Sequence, residues 1–184
     1  MTTIPISCIR CRGILGALLR LLVIAAFWNL GVRSGELRAE SAVEEYDVKA
    51  AFLANFAQFV KWPGGSSGTI GILGDDPFGG KLQNALQGKL NIRHSKRPDD
   101  LKNCQIVFVS KSERGNVSAI LSSLGEANVL TVGDSDGFAK QGGVIGFTMA
   151  GDKVRFEINT AAARRAGLVI SSQLLKLASR IFIL

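Results

Sequence analysis

Two pairs of aspartates follow apolar segments of the chain, and their types and spacing could support chemistry. Asp75 and Asp76 come directly after the short apolar segment Thr69–Gly74, and Asp134 and Asp136 follow a later one. Because parallel strands end at the same edge of a sheet, these carboxylates are expected near one crevice. There they could bind a divalent cation or act in catalysis, or they could simply solvate two loops.

The segment Gly74–Leu82 has the glycines of a phosphate-binding loop but not its other requirements. Such a loop needs a hydroxyl residue directly after its Gly-Lys pair, and Leu82 stands there. A phospho-receiver domain also has paired acidic residues after its first strand, but its acceptor aspartate is replaced by Ser110. The segment is instead expected to be a turn in which Asp76 caps a helix beginning at Pro77.

Histidine and cysteine are scarce in this chain. The only histidine is His94, and the three cysteines are Cys8, Cys11 and Cys104. Cys8 and Cys11 form a C-x-x-C pair, but they lie in an N-terminal segment that we expect to be removed. Cys104 is expected to be a small, half-buried residue, and nothing in the sequence places it beside His94. Without a hydrolase or metal-ligand motif, the sequence predicts a protein that is not an enzyme, with no cofactor and no metal.

The N-terminal segment has the character of a secretory signal. Gly13–Gly31 is apolar except for Arg20 and Asn29, and its uninterrupted apolar core, Leu21–Trp28, is eight residues long. A membrane-spanning helix needs about 20 apolar residues, whereas a signal core needs about 7–15. We therefore expect export to the periplasm. The alternative is an uncleaved anchor that tolerates Arg20 near its middle.

Two small-residue sites could be the cleavage site. Ala39-Glu40-Ser41 is one, and Val32-Arg33-Ser34 is the other. The sequence predicts a signal peptide over residues 1–41 and one domain over residues 42–184, a length sufficient for a single core.

The charge of the chain is ordinary for a soluble domain. The formal net charge of +7 for the whole chain falls to +4 over residues 42–184, which hold 17 basic and 13 acidic residues. No basic stripe alternates with aromatic residues, so nucleic acid is not expected as a partner.

The domain alternates helices with apolar strands and then changes to a hairpin. The predicted helices are Glu44–Lys61, Asp76–Gln87, Ser112–Leu124, Thr160–Ala166 and Gln173–Phe182, and the predicted strands are Thr69–Gly74, Leu90–His94, Gln105–Ser110, Val129–Val132, Val144–Met149 and Lys153–Asn159. This order predicts an α/β fold: a Rossmann-like three-layer sandwich whose mostly parallel sheet carries an antiparallel C-terminal hairpin.

The first and last helices are predicted to be amphipathic. In the first, Lys49 is expected to face away from the core with Asn55 and Gln58, and the apolar face is formed by Val48, Phe52, Leu53, Phe56, Phe59 and Val60. The apolar stripe of the last helix is predicted to consist of Leu174, Leu177, Ala178 and Ile181.

Charged residues near the C-terminus are candidates for partner binding. They are Arg155 and Glu157 on the exposed face of the second hairpin arm, Arg164 and Arg165, and Lys176 and Arg180 of the last helix. They could dock an acidic partner or form a solvated face. The apolar run Ile181–Leu184 either covers the core or joins an interface.

Several segments together resemble one family. Val48–Leu53 with Phe59–Pro63, Ile72–Gly79, Cys104–Ser110 and Ala162–Leu168 are similar to segments of the YfiR/HmsC-like periplasmic family. The resemblance extends over about residues 46–180. One typical aromatic residue of the first helix is replaced by Ala54.

The resemblance implies function by binding. The best-known YfiR-like protein represses a membrane-bound diguanylate cyclase through the periplasmic sensor domain of that enzyme. An outer-membrane lipoprotein relieves the repression, which controls cyclic-di-GMP and biofilm formation. This chain is therefore expected to modulate a diguanylate cyclase or sensor kinase; a homodimer is a further candidate assembly. The paired cysteines of the best-known member are absent, since only Cys104 remains in the domain. The alternative is a periplasmic small-ligand-binding module.

Overall fold

A computed structural model describes residues 33–65, 67–125 and 127–183, with side chains from Glu44 onward. The chain divides into two compact units, Met1–Ala42 and Val43–Leu184. Most of the predicted signal peptide, including Cys8 and Cys11, lies outside the described residues. Its presence and its cleavage site therefore stay predictions.

The described residues form an α/β domain around one large sheet. The helices are α1 (Arg33–Phe59), α2 (Lys81–Leu86), α3 (Val117–Leu124), α4 (Thr160–Arg165) and α5 (Ser172–Leu177), with short 3₁₀ turns at Pro98–Leu101 and Lys111–Glu113. The strands are β1 (Val60–Lys61), β2 (Thr69–Leu73), β3 (Asn91–Ser95), β4 (Ile106–Val109), β5 (Leu130–Gly133), β6 (Ile145–Ala150), β7 (Lys153–Asn159), β8 (Val169–Ile170) and β9 (Arg180–Phe182).

The large sheet has the strand order β3-β2-β4-β5-β6-β7-β9. Its strands are parallel from β3 to β6, β7 returns antiparallel to β6, and β9 runs parallel to β7. β1 and β8 pair separately as a small antiparallel ribbon. The mostly parallel sheet with an antiparallel hairpin confirms the predicted fold class.

The central strands are buried on both faces, which produces three layers. In β4, Ile106 and Phe108 belong to one core cluster, while Val107 and Val109 belong to a second. Successive side chains of a strand point to opposite faces, so the two clusters lie on opposite sides of the sheet. The first cluster packs under α1, α2, α4 and α5, and the second under α3.

Helix α1 differs from its prediction at both ends and on both faces. It begins at Arg33 instead of Glu44, and Val48, predicted for the apolar face, is exposed. It ends at Phe59 because Val60 and Lys61 pair with β8 instead of continuing the helix. Lys49, predicted to face solvent, is buried. Asn55 and Gln58 are exposed as predicted.

Helices α2 and α3 are shorter than the sequence indicated. Asp76 does not cap a helix at Pro77; its carboxylate accepts a hydrogen bond of 2.8 Å from the Phe78 amide and holds a turn. Gly79 follows with φ of +56°, so the helix begins only at Lys81. The predicted helix from Ser112 is divided into a 3₁₀ turn and α3.

The largest correction concerns the last predicted helix. Ser171 caps α5 as expected, accepting a hydrogen bond from the Leu174 amide, but α5 ends at Leu177. The chain then extends as β9, where Arg180, Ile181 and Phe182 pair with β7. The backbone groups at the edge of β7 favour a strand here, because an unpaired edge is costly. Leu177 is consequently exposed instead of packing in the core.

Asn159 links four parts of this end of the domain. It is the last residue of β7 and pairs with Phe182 of β9. Its side-chain oxygen accepts a hydrogen bond of 2.8 Å from the Ala162 amide at the start of α4, and its amide group donates one of 2.8 Å to the Ala139 carbonyl. Asparagine suits this position because one side chain supplies both an acceptor and a donor.

Replacement of Asn159 by alanine is expected to lower the free energy of unfolding by about 2–3 kcal/mol. The variant loses a helix cap and the 2.8 Å hydrogen bond to the buried Ala139 carbonyl, which keeps only the longer bond of 3.3 Å from the Gly142 amide. Urea denaturation measures the effect. The matched control is Asn55→Ala, whose side chain makes one exposed hydrogen bond to Ala51. Equal stability losses in the two variants would contradict the linking role of Asn159.

Candidate partner-binding site

A buried charge cluster joins α1 to the carboxyl end of β5. Lys49 Nζ lies 3.5 Å from Asp134 Oδ2, and the two side chains are 5% and 1% exposed. Lys49 also pairs with Glu45, one helical turn earlier. Tyr46 donates a hydrogen bond of 2.7 Å to the same Asp134 oxygen, and the Lys49 ammonium lies 4.5 Å from the centre of the Tyr46 ring.

This cluster anchors a helix and leaves little room for reaction chemistry. The Asp134 Oδ2 atom is occupied by Lys49 and Tyr46, while Asp134 Oδ1 and Ser135 Oγ have no hydrogen-bond partner among the described residues. Removing one member of a buried ion pair typically costs about 3–5 kcal/mol, because the other charge is left uncompensated. The cluster therefore fixes α1 against the sheet.

The other aspartates singled out in the sequence do not converge with Asp134. Asp75 and Asp136 are exposed, and Asp76 holds its own turn with one oxygen 3.9 Å from His94 Nδ1. Within the described residues, no three histidine, cysteine or acidic side chains form a group that could hold a metal ion.

Cys104 and His94 lie in different environments. Cys104 is buried rather than half-buried as expected, and burial raises the pKa of its thiol. The His94 side chain is half exposed on the edge strand β3. The structure does not pair them.

The six charged residues predicted for partner binding fall on separate surfaces. Glu157 and Arg180 face each other across β7 and β9, with 3.6 Å between Oε1 and Nη1. Arg155, two residues earlier on β7, shares their face of the sheet and is exposed. Lys176 is exposed in the last turn of α5. The assignment of these residues to partner binding stays a prediction.

Arg164 and Arg165 of α4 line different cavities. Arg164 lines an apolar groove together with Thr160 and Ala163, which share its helix face. Arg165 instead lines two other cavities, one of them with Ala162. The pair therefore does not form one docking patch.

The apolar groove, which we call the C-terminal groove, was not predicted from the sequence. Its volume is about 430 Å³. Besides the three α4 residues, its walls are Leu168, Val169, Ile170, Leu175, Ile181 and Ile183. The apolar run Ile181–Leu184 was the sequence signal for it, although the contributions of Val169 and Leu175 require the tertiary structure.

The C-terminal groove gathers apolar surface that is unusual for a monomer. Val169, Ile181 and Ile183 are 62%, 40% and 70% exposed. Leu177, on the neighbouring helix α5, is also exposed. A concentration of exposed apolar side chains commonly marks an interaction site.

The edge strand beside the groove is partly blocked against strand addition. The Thr160 hydroxyl donates to the Phe182 carbonyl over 3.0 Å, and Arg164 Nη2 donates to the Ile183 carbonyl over 3.2 Å. Acceptors at the end of β9 are thus already bonded to α4. This arrangement favours docking of side chains into the groove over pairing of a foreign strand.

Sequence comparison assigns the chain to a family. The sequence profile of the YfiR/HmsC-like family matches residues 46–179. The chain belongs to the YfiR/HmsC-like family. The matched range contains Tyr46, Lys49 and Asp134 of the charge cluster and all of the C-terminal groove except Ile181 and Ile183.

Two solved structures share the fold of this YfiR/HmsC-like domain. A conserved domain protein from Vibrio cholerae O1 biovar El Tor has a TM-score of 0.58 and 9% identity, with 74% of this chain covered. The ABC domain in complex with L-Trp from Streptococcus pneumoniae has a TM-score of 0.57 and 11% identity, with 72% covered. The chain spans 60% of the length of each. No curated protein matches the sequence significantly.

The family is a regulatory and periplasmic one that acts with membrane signalling proteins. In the part of the chain that the structure describes, no helix is long and apolar enough to cross a membrane. Membership of this family supports a regulatory role for the chain.

Tyr46 provides a spectroscopic test of the charge cluster, because it is the only tyrosine in the chain. Burial, then the hydrogen bond to Asp134 and the charges of Asp134 and Glu45, raise the pKa of Tyr46 well above its ordinary value. We expect the folded protein to show phenolate absorbance only far above pH ~10, whereas the chain in denaturant titrates near that value.

The sign of the stability effect follows from the same shift. Below pH ~10 both states keep the phenolic proton; above it the unfolded chain releases its proton first, so the free energy of unfolding falls as pH rises. Tyr46→Phe is the control and should remove this part of the pH dependence. If Tyr46 of the folded protein titrates with the ordinary pKa of tyrosine, its hydroxyl is not buried and bonded to Asp134 in solution.

Proposed function

We propose that this protein is a periplasmic regulator that binds the extracytoplasmic domain of a membrane diguanylate cyclase or sensor kinase through the C-terminal groove. Family membership supports the regulatory role. We place the docking site at this groove because Val169, Ile181 and Ile183 are exposed around it.

The chemistry of the groove suggests what its occupant is like. Arg164 lies in its wall, and Lys176 and Arg180 are the sequence neighbours of the wall residues Leu175 and Ile181. An apolar segment flanked by acidic residues complements such a surface, since rim charges steer association while buried apolar side chains supply affinity. The proposed occupant is a segment of this kind on the partner's extracytoplasmic domain.

Binding alone is sufficient for regulation. A protein that binds one conformation of a receptor domain more tightly than the other shifts the receptor towards that conformation. A coupling free energy of about 1–3 kcal/mol is typical of such effects. Fully burying one valine or isoleucine side chain contributes about 1.5–3 kcal/mol of binding free energy. A few groove residues that are buried against only one conformation of the receptor therefore provide a coupling free energy of this size.

Ile183→Asp and Arg164→Glu are each expected to weaken docking at least about tenfold. The first places a charge in the apolar wall, and the second makes the rim repel acidic residues. The probes are the purified extracytoplasmic domains of the source organism's membrane diguanylate cyclases and sensor kinases, each titrated separately by calorimetry. Cellular cyclic-di-GMP in a deletion strain complemented with each variant provides the second readout.

Met149→Asp is the matched control, because Met149 is an exposed apolar residue outside the groove, on β6. It should bind and complement as the unaltered protein does. If no extracytoplasmic domain binds and deletion leaves cyclic-di-GMP unchanged, the proposal fails. Sedimentation shows whether the groove is instead closed by a second copy: self-association lost in Ile183→Asp, without partner binding, would overturn docking to a receptor.

Export is the second part of the proposal and has its own measurement. Mass spectrometry of the protein from a periplasmic extract is expected to give a chain beginning after Ser41, or after Ser34 if the alternative site is used. Either start supports a cleaved signal. Recovery of the chain only in the cytosol with residues 1–34 still attached would refute export.

A further inference from the structure

We infer that the protein has a separate site for a small organic anion, between α3, α4 and the loop that follows β5. Two cavities of about 230 and 420 Å³ lie here, and Gln141, Gly142 and Arg165 line both. The larger cavity alone falls within the range of about 300–1,000 Å³ that is usual for small-molecule sites. This inference goes beyond the proposed docking function and does not rest on it.

The charge of the site favours an anion. Lys140 and Arg165 both line the larger cavity, and no acidic side chain among the described residues lines either cavity. Neither cation forms an ion pair with a described residue. Two neighbouring cations without an acid between them repel each other, and a bound carboxylate or phosphate relieves that repulsion through charge-assisted hydrogen bonds.

The smaller cavity provides a mixed wall for the rest of such a ligand. Leu121, Val144 and Ala162 are apolar, while Ser118 and Thr131 contribute hydroxyl groups. Thr131 is buried, and its oxygen accepts a hydrogen bond of 3.0 Å from the Val144 amide, so the hydroxyl hydrogen remains available as a donor. A ligand with an anionic head and a compact, largely apolar body fits this combination.

The loop that carries Lys140 and Gln141 is held in place before any ligand arrives. Phe138 is fully buried and packs so closely on Gly133 and Gly143 that a Cβ atom at either would lie 2.5 or 2.1 Å from its ring. Gln141 is further held by a hydrogen bond of 3.2 Å from its amide group to the Asp136 carbonyl. A preformed site of this kind loses little entropy when it binds.

The test titrates the purified full chain with phenylacetate, phenyl phosphate and the neutral analogue phenylacetamide at constant ionic strength, observing the amide resonances of Gln141 and Gly142. We expect saturable shifts with at least one of the two anions and none with phenylacetamide. The two anions distinguish a carboxylate site from a phosphate site. Absence of saturation with both anions, or equal binding of phenylacetamide, would overturn the inference.

Variants locate the site. Arg165→Gln and Lys140→Gln are each expected to weaken binding of the anion at least about tenfold, the equivalent of one lost charge-assisted hydrogen bond. Both positions are exposed, so the fold is expected to tolerate the changes. The matched control is Arg114→Gln, an exposed arginine that lines neither cavity, which should change binding less than about twofold. An unchanged affinity in both Arg165→Gln and Lys140→Gln would also refute the site.

The outcome is independent of partner docking. Because the titration contains no partner, failure of anion binding leaves the C-terminal groove untouched, and failure of docking leaves the anion site untouched. Arg164 variants report on the first surface and Arg165 variants on the second.

Discussion

The hydrogen bonds of the Asn159 side chain are the interaction on which the functional end of the domain depends. One side chain caps α4 and holds the loop after β5 by the Ala139 carbonyl, while the backbone of the same residue pairs with β9. These bonds are buried, so each lost partner is expensive. As a result α4 is fixed between two surfaces, with the C-terminal groove on one side and the pair of cavities on the other.

The charge cluster at the start of the domain fixes the position of α1, as Asn159 fixes that of α4. Here Lys49 pairs with Glu45 and Asp134, and Tyr46 donates to Asp134 Oδ2, while Asp134 Oδ1 has no hydrogen-bond partner among the described residues. Asp134 lies at the carboxyl end of a parallel strand, a common place for reactive groups in α/β folds. In this protein Asp134 fixes α1 against the sheet.

Helix α4 borders both the C-terminal groove and the pair of cavities, so the two proposed ligands would contact different side chains of one short helix. Arg164 and Arg165 are neighbours in sequence, yet one stands in an apolar wall that suits a protein segment and the other in a cationic cavity that suits a small anion. Consecutive helical residues project about 100° apart, so a six-residue helix is sufficient to divide the two surfaces. The YfiR/HmsC-like family is regulatory.

The order of the main helices and of strands β2–β7 follows from the sequence, because apolar runs and alternation are local signals. Cys104 is more deeply buried than the sequence indicated, and the assignment of the charged C-terminal residues to partner binding stays a prediction. Only the tertiary structure decided that Lys49 turns inward, since its carboxylate partner Asp134 is distant in the chain. Only it decided that Arg180–Phe182 form a strand, since the pattern of Leu174, Leu177, Ala178 and Ile181 suits a helix until the open edge of β7 supplies backbone partners. The groove and the anion site depend on pairings of this long-range kind, although the apolar run Ile181–Leu184 is a local signal for the groove.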